Sequence, residues 1–249
     1  MSLYARLQSC IVLIGFTAIS IAAPLQYGGK IYKTVQIGTQ TWMAENLDYD
    51  AKDSKCYGKD GYDVAGFDYD KEDRPAIKEA LSYSKVQENC VKYGRLYEWE
   101  TAMKICPKGW HLPTNKEWDK LFRLVDGDTG SVSPYQSSTA GKHLKEVSGW
   151  NSYKGGFEGH MFDQYGNIIK LNGNGTDDYG FSALPGGRGV LDSSGSDFLY
   201  FDVGYSGYWW SATKLNASEV YVRYMRHSGY ATWGYSKKKA LFSVRCLKD

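Results

Sequence analysis

From Trp150 to the last residue of this 249-residue chain, no set of apolar residues recurs at helical spacing. Alternation takes its place: in "EVYVRYM" Val220, Val222 and Tyr224 alternate with Tyr221, Arg223 and Met225, and "ALFSVRCL" reads as a closing strand. Helical periods are confined to the half before Trp150. A chain that gathers its helices in one half and its strands in the other reads as α+β, since a parallel βαβ sheet needs the two to alternate. No solenoid-length repeat and no Pro-, Ser- or Gly-rich linker interrupts the order, so one domain is expected.

The first half opens with a hairpin. In "KIYKTVQIGTQTWM", Ile31, Lys33 and Val35 alternate with Tyr32, Thr34 and Gln36, and Ile37-Gly38-Thr39 carries the turn. The acidic stretch "KDGYDVAGFDYDKE", from Lys59 to Glu72, has no helical period and reads as an exposed excursion. Pro75 then suits the first turn of a short helix through Leu81. Two or three further helices are expected. "RLYEWETAMK" supplies one over 95–104. Thr114 and Glu117 form the T-x-x-E start of another, with Trp118, Leu121, Phe122 and Val125 on one face. A short one fits Ala140 to Glu146. Short strands and Gly-rich turns fill the rest, with 28 Gly against 6 Pro.

The amino-terminal "MSLYARLQSCIVLIGFTAISIAAPL" has one Arg, an apolar run from Cys10 to Ile21, and small residues after it. That run is too short for a spanning helix, and Ser20-Ile21-Ala22 satisfies the small-x-small rule. We therefore expect a signal peptide over 1–22, cleavage before Ala23, a single domain over 23–249, and no membrane span in the mature protein. Cys10 stands at the start of the apolar run rather than after it, which argues against a lipid-modified cysteine. Export places Cys56, Cys90, Cys106 and Cys246 in an oxidising compartment, where disulfides are the expected state. Four cysteines allow three pairings, and the absence of C-x-x-C speaks against zinc or thioredoxin-like chemistry. A formal charge of +2 gives no electrostatic reason to expect a nucleic-acid partner.

The segments "VQIGTQTWMAENLDY", "CVKYGRLYEWETAM", "CPKGWHLPTNKEWDKL", "LKEVSGWN", "GTDDYGFSALPGG", "YWWSAT" and "FSVRCLKD" follow one another in the order of the Fibrobacter succinogenes major paralogous domain. Together they resemble that family over nearly all of residues 31 to 249. The family occurs on exported bacterial proteins, and its pattern is similar to the C-type lectin-like and formylglycine-generating enzyme folds. The resemblance therefore implies a C-type lectin-like α+β domain that is secreted or held on the bacterial surface. It also implies a bridge from Cys106, after a helix, to Cys246 in the last strand. Here the excursion separates Cys56 from Cys90, and their pairing stays open.

No catalytic motif is present. His111 has neither H-E-x-x-H nor G-x-S-x-G context and reads as a hydrogen-bonded structural histidine. "NGNGTDD" offers Asn172, Asn174, Asp177 and Asp178 as oxygen ligands for calcium, although such residues are also ordinary turn formers and no EF-hand spacing exists. No other cofactor is indicated. The richest signal is aromatic, with 21 Tyr, 9 Phe and 8 Trp. Flat rings with polar edges stack on sugars and also fill cores. Adjacent side chains on a strand point oppositely, so one of Trp209 and Trp210 is expected to be buried. Tyr205, Tyr208, Trp210, Tyr230, Trp233 and Tyr235 are the candidates for a ligand surface. These features point to an exported binding module for a glycan or plant-wall polysaccharide. The alternatives are a structural or assembly component of the cell envelope with a protein partner, and a relative of the formylglycine-generating oxidase, which would need two reactive thiols.

Overall fold

A computed structural model describes residues 20–65, 77–127, 137, 139–152 and 172–249. The chain begins with five short strands: β1 (Ser20–Ile21), β2 (Leu25–Tyr27), β3 (Lys30–Tyr32), β4 (Thr34–Ile37) and β5 (Gln40–Met43). After them come β6 (Gly61–Ala65), β7 (Ile77–Glu79), helices α1 (Tyr83–Tyr93) and α2 (Trp99–Ile105), strand β8 (Trp110–His111), and helices α3 (Asn115–Asp126) and α4 (Ala140–Leu144). Strands β9 (Gly186–Leu191), β10 (Phe198–Val203), β11 (Ser206–Lys214), β12 (Glu219–Arg226), β13 (Ala231–Lys237) and β14 (Leu247–Lys248) complete the chain. The arrangement is α+β, as expected, with only strands among the described elements after Trp150, although strands β1–β8 also lie in the half that carries the helices.

β2 and β3 pair separately as a two-stranded antiparallel sheet, and two larger sheets organise most of the other elements. One runs β1-β4-β5-β14-β8, so the last strand inserts beside the amino-terminal hairpin; the other runs β13-β12-β11-β9-β10-β6-β7. The hairpin turns at Gly38-Thr39, pairing Ile37 with Gln40 and Thr34 with Met43. β1 pairs antiparallel with β4 upstream of the expected cleavage point. A chain cut before Ala23 loses that strand and leaves β4 at the sheet edge. Among the described residues no helix is long and apolar enough to cross a membrane.

Two bridges tie the sheets and helices together. Cys106, at the end of α2, bonds Cys246 beside β14, and Cys56 bonds Cys90 on α1. The second bridge settles the pairing that the sequence left open. It encloses β6 and β7, which lie at one edge of the larger sheet.

Three local expectations need correction. Residues 77–79 form a strand paired with β6, not the end of a helix running to Leu81; Pro75 lies outside the described residues. Of the acidic excursion, residues 59–65 are described, and Gly61–Ala65 is no free loop, because Gly61 to Asp63 pair parallel with β10. The helix there is α1 instead, started by Ser82, whose hydroxyl accepts the Lys85 N–H. Its inner face carries Val86, Asn89, Cys90 and Tyr93, a correct helical spacing diluted by polar residues. Gly94 ends it at φ 76, where an added Cβ would sit 2.8 Å from the Leu47 carbonyl oxygen, so only glycine fits.

The third correction concerns the tryptophans. β11 is an inner strand covered on both sides, so Trp209 and Trp210 are both fully buried. Trp209 joins Trp118, Phe122, Trp42 and Phe181 under α3. Trp210 packs on the opposite face with Phe242, Tyr97 and Val222. Each indole N–H is satisfied, to Asn46 Oδ1 at 2.9 Å for Trp209 and to the Tyr97 carbonyl at 2.6 Å for Trp210. Trp42 and Trp118 in the same cluster as Trp209 are equally buried, but no hydrogen bond is made by either indole N–H among the described residues, so ring packing rather than donor pairing holds them there.

At the centre Arg245 is fully buried, and among the described residues no carboxylate is bonded to it. Its Nε donates to Asn46 Oδ1 at 3.0 Å, Nη2 to the Ser182 carbonyl at 2.6 Å, and Nη1 to the Phe181 carbonyl. The guanidinium also lies 4.3 Å from the Phe181 ring centroid. Burial lowers its pKa to about 9, still above neutrality, so the charge is retained and solvated by carbonyl dipoles.

Candidate functional site

The register of β12 and β13 decides which aromatics reach the surface together. Tyr221 lies opposite Tyr235, Arg223 opposite Trp233, and Met225 opposite Ala231, and residues directly opposite in a ladder share a face. Met225 and Ala231 are buried under α3 with Trp209. One step outward, Arg223 is also buried, but its side chain ends on the start of α3. Nη1 donates to Asp119 Oδ1 at 2.7 Å, and Nε to Asn115 Oδ1 at 3.3 Å. Burial disfavours its charge, and Asp119 opposes that loss.

Beyond Arg223 the same face turns outward. The rings of Tyr221 and Trp233 meet at 5.4 Å and 60°, and Tyr235 beside them is 59 % exposed. β13 is the edge strand of the sheet, so Trp233 and Tyr235 border solvent. The result is an aromatic ledge next to the buried Arg223, whose partners Asp119 and Asn115 at the start of α3 are partly exposed. Such a surface can stack on the apolar face of a pyranose and exchange hydrogen bonds with its hydroxyls.

The six expected ligand residues do not form one cluster. Trp233 and Tyr235 are on the ledge. Tyr205 and Tyr230 are exposed on the turns before β11 and before β13, both at the sheet end where Ser206 pairs with Arg226. Tyr208 and Trp210 lie on the opposite face of β11 and are buried, contrary to the expectation of exposure for Tyr208. The Tyr208 hydroxyl donates to Asp202 Oδ2 at 2.9 Å, the same oxygen that takes the Arg188 Nε–H at 3.1 Å. Its hydroxyl pKa is pushed far up by burial and then by Asp202. Sequence reasoning missed Tyr221, Asn115 and Asp119. Alternation places Tyr221 away from Val220 and Val222, but only the register brings it to Tyr235.

The calcium candidates are engaged within their own loop. Asn174 Oδ1 accepts the Trp150 N–H at 2.9 Å, and Asn172 Oδ1 accepts that of Asn174 at 3.1 Å. Both Asp177 oxygens take bonds from Ser182 at 2.7 Å, and Asp178 meets Thr176 and His143. The loop's N–H groups cap α4: those of Thr176, Asp177 and Asp178 donate to the carbonyls of Lys142, Lys145 and His143. Among the described residues no three His, Cys, Asp or Glu side chains gather to hold a metal ion.

His111 is hydrogen-bonded, as expected, and bridges two carboxylates. Nε2 meets Glu117 Oε1 at 2.9 Å and Nδ1 meets Asp249 Oδ1 at 2.7 Å. Glu117 Oε2 in turn accepts the Thr114 N–H at 2.7 Å, the Glu half of the capping box. Partial burial works against the imidazolium, but the bonds to Asp249 and Glu117 outweigh it and raise the pKa above 6.5. The stretch "CPKGWHLPTNKEW" is thus a fastening between β8, β14 and α3. The two disulfides leave no free thiol among Cys56, Cys90, Cys106 and Cys246.

Fold and site together define a disulfide-tied α+β domain with an aromatic ledge on its edge strand. The chain matches the family model of the Fibrobacter succinogenes major domain over residues 35–248, and it belongs to that family. No curated protein and no solved structure matches it.

Proposed function

We propose that this chain is an exported, C-type lectin-like binding module, secreted or displayed on a bacterial surface, that takes a polysaccharide on the ledge of Tyr221, Trp233 and Tyr235. One observation carries the reading: Trp233 and Tyr235 on the edge strand and Tyr221 on its neighbour share a face with Arg223, which is bonded to Asp119 and Asn115, so ring faces and hydrogen-bonding groups border one surface. The apolar leader and two disulfides support export. The test is a glycan array together with a pulldown on insoluble plant-wall polymers, run on the wild type and on Tyr235→Ala. Retention that falls in the variant supports the proposal. Absence of retention for wild-type protein of demonstrated fold overturns it.

A further inference from the structure

Lys145 follows α4 and is 1 % exposed. Its ammonium nitrogen lies 2.6 Å from the carbonyl oxygen of Gly173, 2.9 Å from those of Arg226 and Ser228, and 3.2 Å from that of His227. The Trp150 ring closes the site, its centroid 4.8 Å from the nitrogen. Among the described residues no carboxylate joins these partners, and the positive charge meets backbone dipoles and one π face. Rings of carbonyl oxygens are how proteins replace the hydration shell of a potassium ion, and an aromatic face attracts the same charge. Burial lowers the amine's pKa to about 8, which leaves the ammonium form prevailing at neutral pH. Its three hydrogens suit the four acceptors, whereas a neutral amine would turn its lone pair toward carbonyl oxygen.

The surroundings show a built cage. Three of the four carbonyls are consecutive, from the last residue of β12 into the turn before β13, and the fourth comes from the loop that caps α4. Gly175 lets that loop approach, since a Cβ there would sit 2.2 Å from the Lys145 carbonyl oxygen. The turn is also fastened from α4 by the Lys142 N–H to the Gly229 carbonyl at 3.1 Å. β13, which carries Trp233 and Tyr235, begins directly after this turn.

We propose that this cage is a monovalent-cation site which the chain fills with its own side chain, and that it takes up a small ammonium or potassium ion when Lys145 is cut back to alanine. The site fixes the turn from which the ledge strand starts. The experiment compares thermal unfolding of wild type, Lys145→Ala and Lys145→Met in sodium, potassium, ethylammonium and tetramethylammonium chloride at equal ionic strength, pH 7. Lys145→Ala should melt several degrees below wild type, and ethylammonium or potassium should recover part of that loss while sodium and tetramethylammonium do not. Wild type should show no such selectivity. Equal melting of Lys145→Ala in all four salts overturns the proposal. If Lys145→Ala does not fold, Lys145→Met decides: it keeps the length of the chain without the charge, and melting at or above wild type in sodium chloride overturns the proposal, whereas a clear drop supports it.

Discussion

Two arginines separate the interior of this protein from its surface. Arg245 and Arg223 are both buried and both lie near tryptophan. Around Arg245 every contact closes inward, with Asn46, Phe181, Ser182 and Trp209 holding or touching the guanidinium. Around Arg223 a carboxylate on α3 takes the charge, and the neighbouring rings of Tyr221 and Trp233 lead out to the exposed Tyr235. The residues of the first group come from "AENLDY", "GFSALPGG", "YWWSAT" and "FSVRC", segments that carry the family resemblance. Tyr221, Trp233 and Tyr235 lie outside all of those segments. The family match spans residues 35–248 and takes in both regions, so what separates them is burial: the first closes around Arg245, and the second opens at Tyr235.

The largest effect should come from breaking the interior. Trp209→Ala removes a fully buried ring and leaves Asn46 without one of its donors, so chemical denaturation should show a loss of about 3–5 kcal/mol. An equal loss for Trp233→Ala would abolish the distinction between the two regions.

Removing the Cys106–Cys246 bridge comes next. It closes 140 positions, against 34 for Cys56–Cys90. Replacing both cysteines of the longer bridge by serine should cost about 2–5 kcal/mol, and the shorter one roughly 1 kcal/mol less, because loop entropy grows only logarithmically with length. Denaturation of the two double mutants measures the difference. A larger loss from the 56–90 pair would mean that the β6–β7 edge, not the centre, limits stability.

Much of the interior could be read from residues alone. The start of α3 follows from Thr114 and Glu117, its buried face from Trp118, Leu121, Phe122 and Val125, and the β4–β5 hairpin from its turn. Helix α1 could not be read as easily, because Asn89 and Cys90 sit on its inner face and blur the apolar stripe. The ledge was half legible: Trp233 and Tyr235 stand two apart on one strand, while Tyr221 and Asp119 reach them only through strand register and the reach of Arg223. Tyr208 and Trp210 were misplaced because local alternation says which side chains share a face, not whether that face is covered. β11 lies inside the sheet, and both of its faces are core.

The ledge should respond in the opposite sense from the core. Tyr235→Ala removes exposed surface and should change stability by no more than about 0.5 kcal/mol. Its loss should weaken polysaccharide retention by about three- to tenfold, the worth of one aromatic stacking contact. Affinity electrophoresis in gels containing the polymer reads this directly. Full retention by Tyr235→Ala and by Trp233→Ala would place binding elsewhere.

The smallest effect should lie at His111, where the interior meets the surface. Its folded pKa is raised above 6.5 by Asp249 and Glu117 against the opposing effect of burial. A group raised on folding stabilises fully below its unfolded pKa, and that stabilisation disappears as pH rises through the folded value. The stability difference between wild type and His111→Gln should therefore be larger at pH 5.5 than at pH 8.5. Because the imidazole is about one-third exposed, solvent screens the pair and the change should not exceed about 1 kcal/mol. A difference that grows with pH would mean that the two carboxylates, not the imidazolium they hold, dominate this fastening. It would also mean that α3, which brings Asp119 to the ledge, is anchored chiefly by its apolar face.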